Sequence, residues 1–452
     1  MKKRWSNVLI LSIIAGLLAA CSSNGGSNSS TAGSTQSPPS NTGKEQSAGE
    51  GKSEVVNFTI PVLPDDLEAF QTVYKEFEKE YPNIKIEFIT FPAGQFYYEK
   101  LRIQLSGGVE YDLFGGVLDS LVDTGIIEPL DELIKTNNMD VSGFGEMFEG
   151  MKINGKSYGL PYRKSNWMLY YNKDLFDQAN VPYPDEDMTW DEFRATAKQL
   201  TSGSGQDKIY GAYLHQWAQT WYMPAVQGGT TIIDKDMEPF RDALQFRLDL
   251  EKDGSIMKWS EQITTGAHYN AAFQKGNVAM NLMGDWHVAQ LRQAEAEGKI
   301  SFDWDIAPLP HPEGVESNTT LELPVALMIN KNSKHKEEAF KVVEFMTGSK
   351  GAEIFAKQGY LTGFTNDAVR EAYSGDGTLK PEHINYFNDA KAVPEYPMLP
   401  GVKNIIVNGI FKQEGELVFV GEQTPEEAVA KIAERVAKEW GGIYADQFSI
   451  DK

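Results

Sequence analysis

Gly150 and the triplet Gly155-Lys156-Ser157 stand at the spacing of a phosphate-binding loop, the pattern in this chain that comes nearest to spelling out a reaction. Such a loop must follow a buried strand and open a helix whose N-terminus holds the phosphate. Glu146-Met147-Phe148-Glu149 is not a clean buried strand, and Tyr158-Gly159-Leu160-Pro161 cannot begin a stable helix because Gly and Pro interrupt its first turn. The phosphate reading is therefore rejected. Asn154-Gly155 instead marks a hairpin turn between residues 151–153 and 157–158. No His-Glu-x-x-His, no Gly-x-Ser-x-Gly and no EF-hand spacing occurs, and the six histidines are scattered. No metal or cofactor is expected. The 64 acidic residues permit the paired carboxylates of a surface glycoside hydrolase or lyase by chance, so that alternative stays open.

The single cysteine has a different chemistry. Lys2, Lys3 and Arg4, then an apolar run from Val8 to Leu18, then Leu18-Ala19-Ala20-Cys21, form a secretory signal too short to span a bilayer. The string before Cys21 resembles the bacterial lipobox, whose cysteine is diacylated and becomes the new N-terminus. One cysteine cannot form an internal disulfide. Residues 1–20 are expected to be removed. Residues 21–53, rich in Ser, Gly, Asn and Thr, are read as a lipidated flexible tether, since such a composition cannot bury enough surface to order itself. Loss of Lys2, Lys3 and Arg4 takes the formal charge from −22 to −25. So acidic a body should not bind nucleic acid, and the lipid would be its only hold on a membrane, at the extracellular face. The chain is expected to be a monomer.

About 400 residues remain, more than one ordinary core, which suggests two lobes. Val55 to Val62 reads as a strand. Leu67, Phe70, Tyr74, Phe77 and Tyr81 recur at helical spacing until Pro82, with Asp65 and Glu68 at capping-box spacing before them. Ile84, Ile86 and Phe88 alternate as a second strand. Strand, helix and strand in succession suggest a largely parallel sheet. Further strands are expected at residues 111–114, 167–171, 278–283 and 325–329, and a helix from Asp119 to Thr124. Thr189 and Thr424 each open a helix with a box glutamate three residues on.

These segments also carry a family resemblance. Residues 77–86 (Phe-Glu-Lys-Glu-Tyr-Pro-Asn-Ile-Lys-Ile), 125–131 (Gly-Ile-Ile-Glu-Pro-Leu-Asp) and 155–162 (Gly-Lys-Ser-Tyr-Gly-Leu-Pro-Tyr) are similar to passages of the extracellular solute-binding proteins of sugar-type ABC importers. So are residues 169–176 (Leu-Tyr-Tyr-Asn-Lys-Asp-Leu-Phe), 189–193 (Thr-Trp-Asp-Glu-Phe), 273–280 and Gly284-Asp285-Trp286. The series covers about residues 55 to 440. The resemblance implies an α/β, two-lobed periplasmic-binding-protein type II fold, maltose-binding-protein-like, with hinge crossings and a ligand cleft between lobes. By resemblance the crossings fall near Lys164, Pro308 and Gly363. Residues 55–164 plus 309–363 would form one lobe, and 165–308 plus 364–452 the other, closing by hinge motion.

The function implied is capture of a carbohydrate, with the abundance of aromatics favouring an oligosaccharide, and delivery to the transmembrane permease of an ABC importer, without chemistry. A sensory lipoprotein on the same fold is the further alternative. A sugar offers hydroxyls around its edge and C–H groups on its faces, so its site needs aromatic faces together with acids, amides and Arg. Trp286 stands at the family's stacking position with Asp285 beside it; a core tryptophan and a loop acid are the bland readings. Tyr162 and Arg163 should face the cleft, or else pack the hinge. Asp119 and Asp65 are candidate hydroxyl acceptors, each also explicable as a helix cap. Trp217, Trp221 and the adjacent Tyr222 form a ligand wall or ordinary packing. Tyr396 stands where the family often places an aromatic contact.

Overall fold

A computed structural model of the chain describes residues 55–92, 95–375 and 380–441. Cys21, the signal and the tether lie outside the described residues. The described residues hold eleven strands: β1 (Val56–Pro61), β2 (Ile84–Ile89), β3 (Leu113–Gly116), β4 (Leu160–Arg163), β5 (Trp167–Asn172), β6 (Tyr210–Tyr213), β7 (Val278–Gly284), β8 (Trp304–Ala307), β9 (Thr319–Glu322), β10 (Val325–Ile329) and β11 (Lys391–Pro394).

The opening unit forms as the hydrophobic spacing demands. The helix Leu67–Glu80 buries Ala69, Phe70, Val73 and Phe77, and it connects β1 to β2 in parallel register. Its expected capping box does not form: neither Asp65 nor Asp66 caps a helix through its side chain, because both carboxylates are engaged elsewhere. The boxes at Thr189 and Thr424 are both present, each closing two backbone donors with one Thr and one Glu.

The largely parallel sheet is not what forms. In the first lobe β10 lies between β3 and β4, antiparallel to both. In the second the order is β6-β7-β5-β8, with β5 antiparallel to both neighbours and only β6-β7 parallel. The physical reason is the repeated passage between lobes. A strand that enters a sheet from the other lobe needs no helical crossover, and so is free to run antiparallel.

The first passage is at Lys164-Ser165-Asn166, between β4 and β5. Ser165 there holds a φ of 67°, a left-handed conformation costly for a residue with a Cβ. The second passage falls at Leu323-Pro324, not near Pro308. Residues 309–322 stay with the second lobe: Trp190 donates its backbone N–H to His311, the Gln227 amide donates to the carbonyls of Pro310 and Thr319, and Thr320 bonds the backbone of Trp167. At the third passage Lys164 donates to the Leu361 carbonyl, and Gly363 packs so closely that an added Cβ would stand 2.4 Å from the Pro161 oxygen. Phe364 still packs on Phe144, and Asn366 bonds Ser349, so the return to the second lobe comes later: the Lys380 carbonyl accepts from Arg292, His383 bonds Asp305, and β11 then pairs with β9.

The phosphate-loop lookalike is a short helix, Glu146–Gly150, followed by a turn in which Asn154 and Gly155 take φ of 51° and 73° and Ile153 bridges Lys156. Asp119 to Thr124 is not one helix but two 3₁₀ turns, closed by Gly125 in the left-handed conformation. Among the described residues no helix is long and apolar enough to cross a membrane.

Candidate functional site between the lobes

A cavity of about 420 Å³ lies among the strand ends of both lobes. Three tryptophans of the second lobe form its aromatic side. Trp167 opens β5, Trp217 precedes the helix Gln219–Gln227, and Trp286 begins the helix Trp286–Ala296. Trp167 and Trp286 meet edge to face at 5.7 Å between ring centres, Trp167 and Trp217 at 6.3 Å, and Trp217 and Trp286 at 6.1 Å. Behind them Tyr269 and His215 pack against Trp217 at 5.6 and 4.8 Å. Burial, with His268 and Arg247 adding to it, pushes His215 down to about 3, so it is a neutral ring in this stack.

Gly284 explains how Trp286 takes its place. The indole folds back over the end of β7, and a Cβ on Gly284 would stand 1.9 Å from it. The guanidinium of Arg163 lies 5.1 Å over the Trp286 ring. Its Nε donates to Asp66 Oδ2 at 3.2 Å, and its Nη1 donates to Ser165. Burial alone would drive Arg163 down, but Asp66, Tyr162, Asp285 and Tyr360 together outweigh it and keep the guanidinium charged.

The first lobe contributes the loop Leu63-Pro64-Asp65, with Tyr98, Val117 and Val325. Burial raises the Asp65 carboxyl, and Asp66 beside it adds to the rise, while His268 and Arg163 oppose it. The hydroxyl of Tyr269 joins the two lobes. It accepts from Trp286 Nε1 and from Gln290 Nε2, each at 3.0 Å, and donates to Asp65 Oδ2 at 3.2 Å.

Of the residues expected at a ligand, Asp65, Arg163, Trp217 and Trp286 therefore line the same cavity. Five others stand behind it. Tyr162 donates to Asp66 and packs on Phe70 and Phe355 in the first lobe. Asp285 braces the hinge: its backbone N–H bonds Asn166 and its Oδ2 accepts from Leu361 N–H at 3.0 Å. Burial, opposed by Arg163, lifts its carboxyl to about 7. Trp221 stacks on Phe411 in the second-lobe core. Asp119 accepts the backbone N–H of Lys403 at 2.9 Å, and burial lifts it to about 7 against the pull of Lys403. Tyr396 is fully enclosed, with the Lys403 ammonium 5.1 Å from its ring centre.

The wall also holds residues that sequence reasoning passed over: Trp167, His268, Glu395, Lys403, Lys412 and Glu416. Trp167 had a signal, as the first residue beyond the hinge. Lys403 and Asn408 ride on a ten-residue π-helix, Val402–Phe411, whose wide winding erases the 3.6-residue rhythm by which a helix face is read. Among the described residues no group of His, Cys, Asp and Glu could hold a metal ion.

Residues 61–353 match the family model described as bacterial extracellular solute-binding protein. The chain belongs to this family. Among the relatives of this solute-binding protein is a maltooligosaccharide ABC transporter solute-binding lipoprotein of Streptococcus pneumoniae, 22% identical, with 88% of this chain and 93% of that one aligned. A sugar transporter of Rhizobium etli, solved in an open conformation, is 29% identical with a TM-score of 0.70, covering 85% of this chain and all of the other. An ABC substrate-binding protein of Listeria monocytogenes, solved with cycloalternan, has a TM-score of 0.75 at 24% identity, covering 86% of this chain and all of that one. The two-lobed α/β fold implied by the resemblance is the fold of this solute-binding protein.

Proposed function

We propose that this protein captures a carbohydrate, an oligosaccharide rather than a monosaccharide, outside the cell and delivers it unaltered to the permease of an ABC importer. The observation that carries the reading is the cavity between lobes: three indole faces on one side, and Asp65, Glu395, Lys403 and Gln219 around them. Aromatic faces receive the C–H faces of pyranose rings, and the polar groups receive the hydroxyls. The relatives described above, a maltooligosaccharide lipoprotein and a sugar transporter, support it. Nine of the ten residues assigned from the sequence bear on this reading in two ways. Asp65, Arg163, Trp217 and Trp286 would touch ligand; Asp119, Tyr162, Trp221, Asp285 and Tyr396 would hold the wall and hinge.

Cys21, the tenth, would carry the lipid that keeps a monomeric receptor beside its permease at the extracellular face. Its replacement, Cys21→Ala, should release ligand-competent protein into the medium; retention on the cell would overturn the anchor. Ligand binding is tested by thermal unfolding across a panel of oligosaccharides. A saccharide at a hundredfold excess over its Kd should add about 2.7 kcal/mol of stability, and chromatography should recover it unchanged. Shortened saccharide would establish a hydrolase instead.

A further inference from the structure

Glu395 and Lys403 form an unusual pair at the edge of the tryptophan box. Both line the cavity, yet their side chains are only 1% and 7% exposed, respectively, as residues. Glu395 Oε2 accepts the indole N–H of Trp167 at 3.3 Å, so the acid is fastened to the aromatic wall itself. Glu395 Oε1 stands 3.8 Å from Lys403 Nζ, near enough for attraction and too far for a hydrogen bond. That oxygen makes no hydrogen bond of good geometry among the described residues, although the Gln219 amide and the Tyr222 hydroxyl stand near enough to draw on the acid. The Tyr396 hydroxyl and the Oδ1 of Asp119, buried in the same neighbourhood, make none either. Burial raises the Tyr396 hydroxyl, and Asp119, Glu395, Tyr222 and Tyr98 add to the rise.

Native proteins rarely leave buried polar atoms unmatched, because each costs about 1–3 kcal/mol and a charged group more. Lys403 is meanwhile held still, its ammonium over the Tyr396 ring and its backbone N–H on Asp119. A buried donor and a buried acceptor stand side by side at the cavity edge, close but not hydrogen-bonded to each other. A hydroxyl reaching the pair from the cavity would bridge it with both of its capacities: its O–H donates to Glu395 Oε1 while its oxygen accepts from Lys403 Nζ. A sugar ring lying on the Trp167 and Trp286 faces would bring its rim of hydroxyls to this edge.

We infer that Glu395 and Lys403 are a hydroxyl-reading subsite that sets which saccharide this protein prefers. The inference rests on the sugar-binding reading above. It divides labour in the cavity: the tryptophans hold any ring of suitable flatness, whereas the acid and ammonium require an equatorial or axial hydroxyl at one position. A site built to bond a hydroxyl discriminates strongly against the analogue lacking it, since its buried groups are then left unpaired.

The test uses the full chain with maltotriose, mannotriose, cellotriose and xylotriose, then the monodeoxy derivatives of the tightest binder, by calorimetry. For the unsubstituted protein one deoxy derivative should bind roughly tenfold or more weaker than its parent. In Glu395→Gln, and independently in Lys403→Met, the parent should weaken to match that derivative, which itself is unchanged, so that their ratio falls to about one. A merely structural pair would weaken parent and every derivative alike, keeping the ratio; that result, or no change at all in both variants, overturns the subsite and leaves sugar binding standing. Failure of the unsubstituted protein to bind any of the four trisaccharides overturns the sugar reading and the subsite together. Melting temperature is followed in each variant, and the two substitutions, one nearly isosteric and one removing the ammonium with its donors, must agree.

Discussion

Trp286 and Asp65 meet at one hydroxyl, that of Tyr269, yet the two sides of the cavity they represent are built differently. On the second-lobe side the rings support each other. Trp286 rests on Gly284, Trp167, Trp217 and Tyr269, all of the same lobe, and the Arg163 guanidinium of the first lobe adds to this packing over the ring face. On the first-lobe side Asp65 sits in a short loop, and its side-chain bond is to the opposite lobe. Glu68 to Gln293, Asp119 to Lys403 and Ser120 to Asn404 likewise join the lobes through polar contacts. One wall is packed chiefly within its own lobe. The other becomes a wall when the lobes come together. Substitutions in the first should therefore abolish ligand contact, and substitutions in the second should weaken closure.

The largest effect separates the wall from the core behind it. Trp221→Ala removes a ring enclosed by Phe240 and Phe411 and should cost about 3–5 kcal/mol in denaturant unfolding. Trp217→Ala, the partly exposed member of the wall, should cost far less stability and lower saccharide affinity instead. If both behave alike, the wall is not distinct from the core. Next, Trp286→Ala should weaken saccharide binding by roughly 30-fold or more, as loss of a buried aromatic anchor does. Gly284→Ala should reproduce that loss without touching the indole, because the ring cannot keep its place. Retained affinity in Gly284→Ala would break the account of how the wall is preformed.

A third effect concerns Asp119 and Asp285, one at the lobe contact and one at the hinge, both near pH 7 in the folded protein. Unfolded, such a carboxyl titrates at about 3.9. Between these values the folded state binds more protons, so stability falls as pH rises from about 4 to about 7 and levels off above. The groups that act on them are Lys403 and Asp123 for Asp119, and Arg163 and Asp66 for Asp285. Asp119→Asn keeps the oxygen that accepts from Lys403 and removes the ionisation. It should leave stability unchanged at pH 4 and raise it at pH 8, by about 1.4 kcal/mol for each pKa unit of the rise in this group. A variant whose pH profile is parallel to the parent's would contradict the raised acid. Asp65→Asn should weaken affinity by only about 1 kcal/mol, mostly through faster release, since it trims one hydrogen bond across the lobes. The exposed contact of Glu68 with Gln293 should matter least: Glu68→Gln should stay within about 0.5 kcal/mol in both stability and binding.

Much of the fold was legible. β10 at Val325–Ile329 appears where its uninterrupted apolar run placed it, and Thr189 and Thr424 cap their helices as their spacing requires. The site was legible by neighbourhood rather than by side chain. In Asp65-Asp66, Tyr162-Arg163, Asp285-Trp286 and Glu395-Tyr396 one member lines the cavity and its neighbour is spent inside the fold. Adjacent residues point in different directions, to opposite sides in strand β4 and around the axis at the helical turns of Asp65-Asp66 and Asp285-Trp286, and composition alone does not say which side faces the ligand. The passage at Leu323-Pro324 was misplaced because Pro308 interrupts the chain just as visibly. What holds residues 309–322 to the second lobe is a set of long-range bonds from Trp190, Gln227 and β11.

The place of β10 has a consequence for how the molecule comes into being. It is the central strand of its sheet, but it enters the sequence only at residue 325, long after β3 and β4, which it joins. Until then those two strands have no partner between them, and the sheet cannot close. Pairings between such distant segments are slow to form because the loop entropy is lost before the contacts are gained. The unit of β1, its helix and β2 can pair from local sequence, whereas the sheet of β3, β10 and β4 is joined only when most of the polypeptide is present.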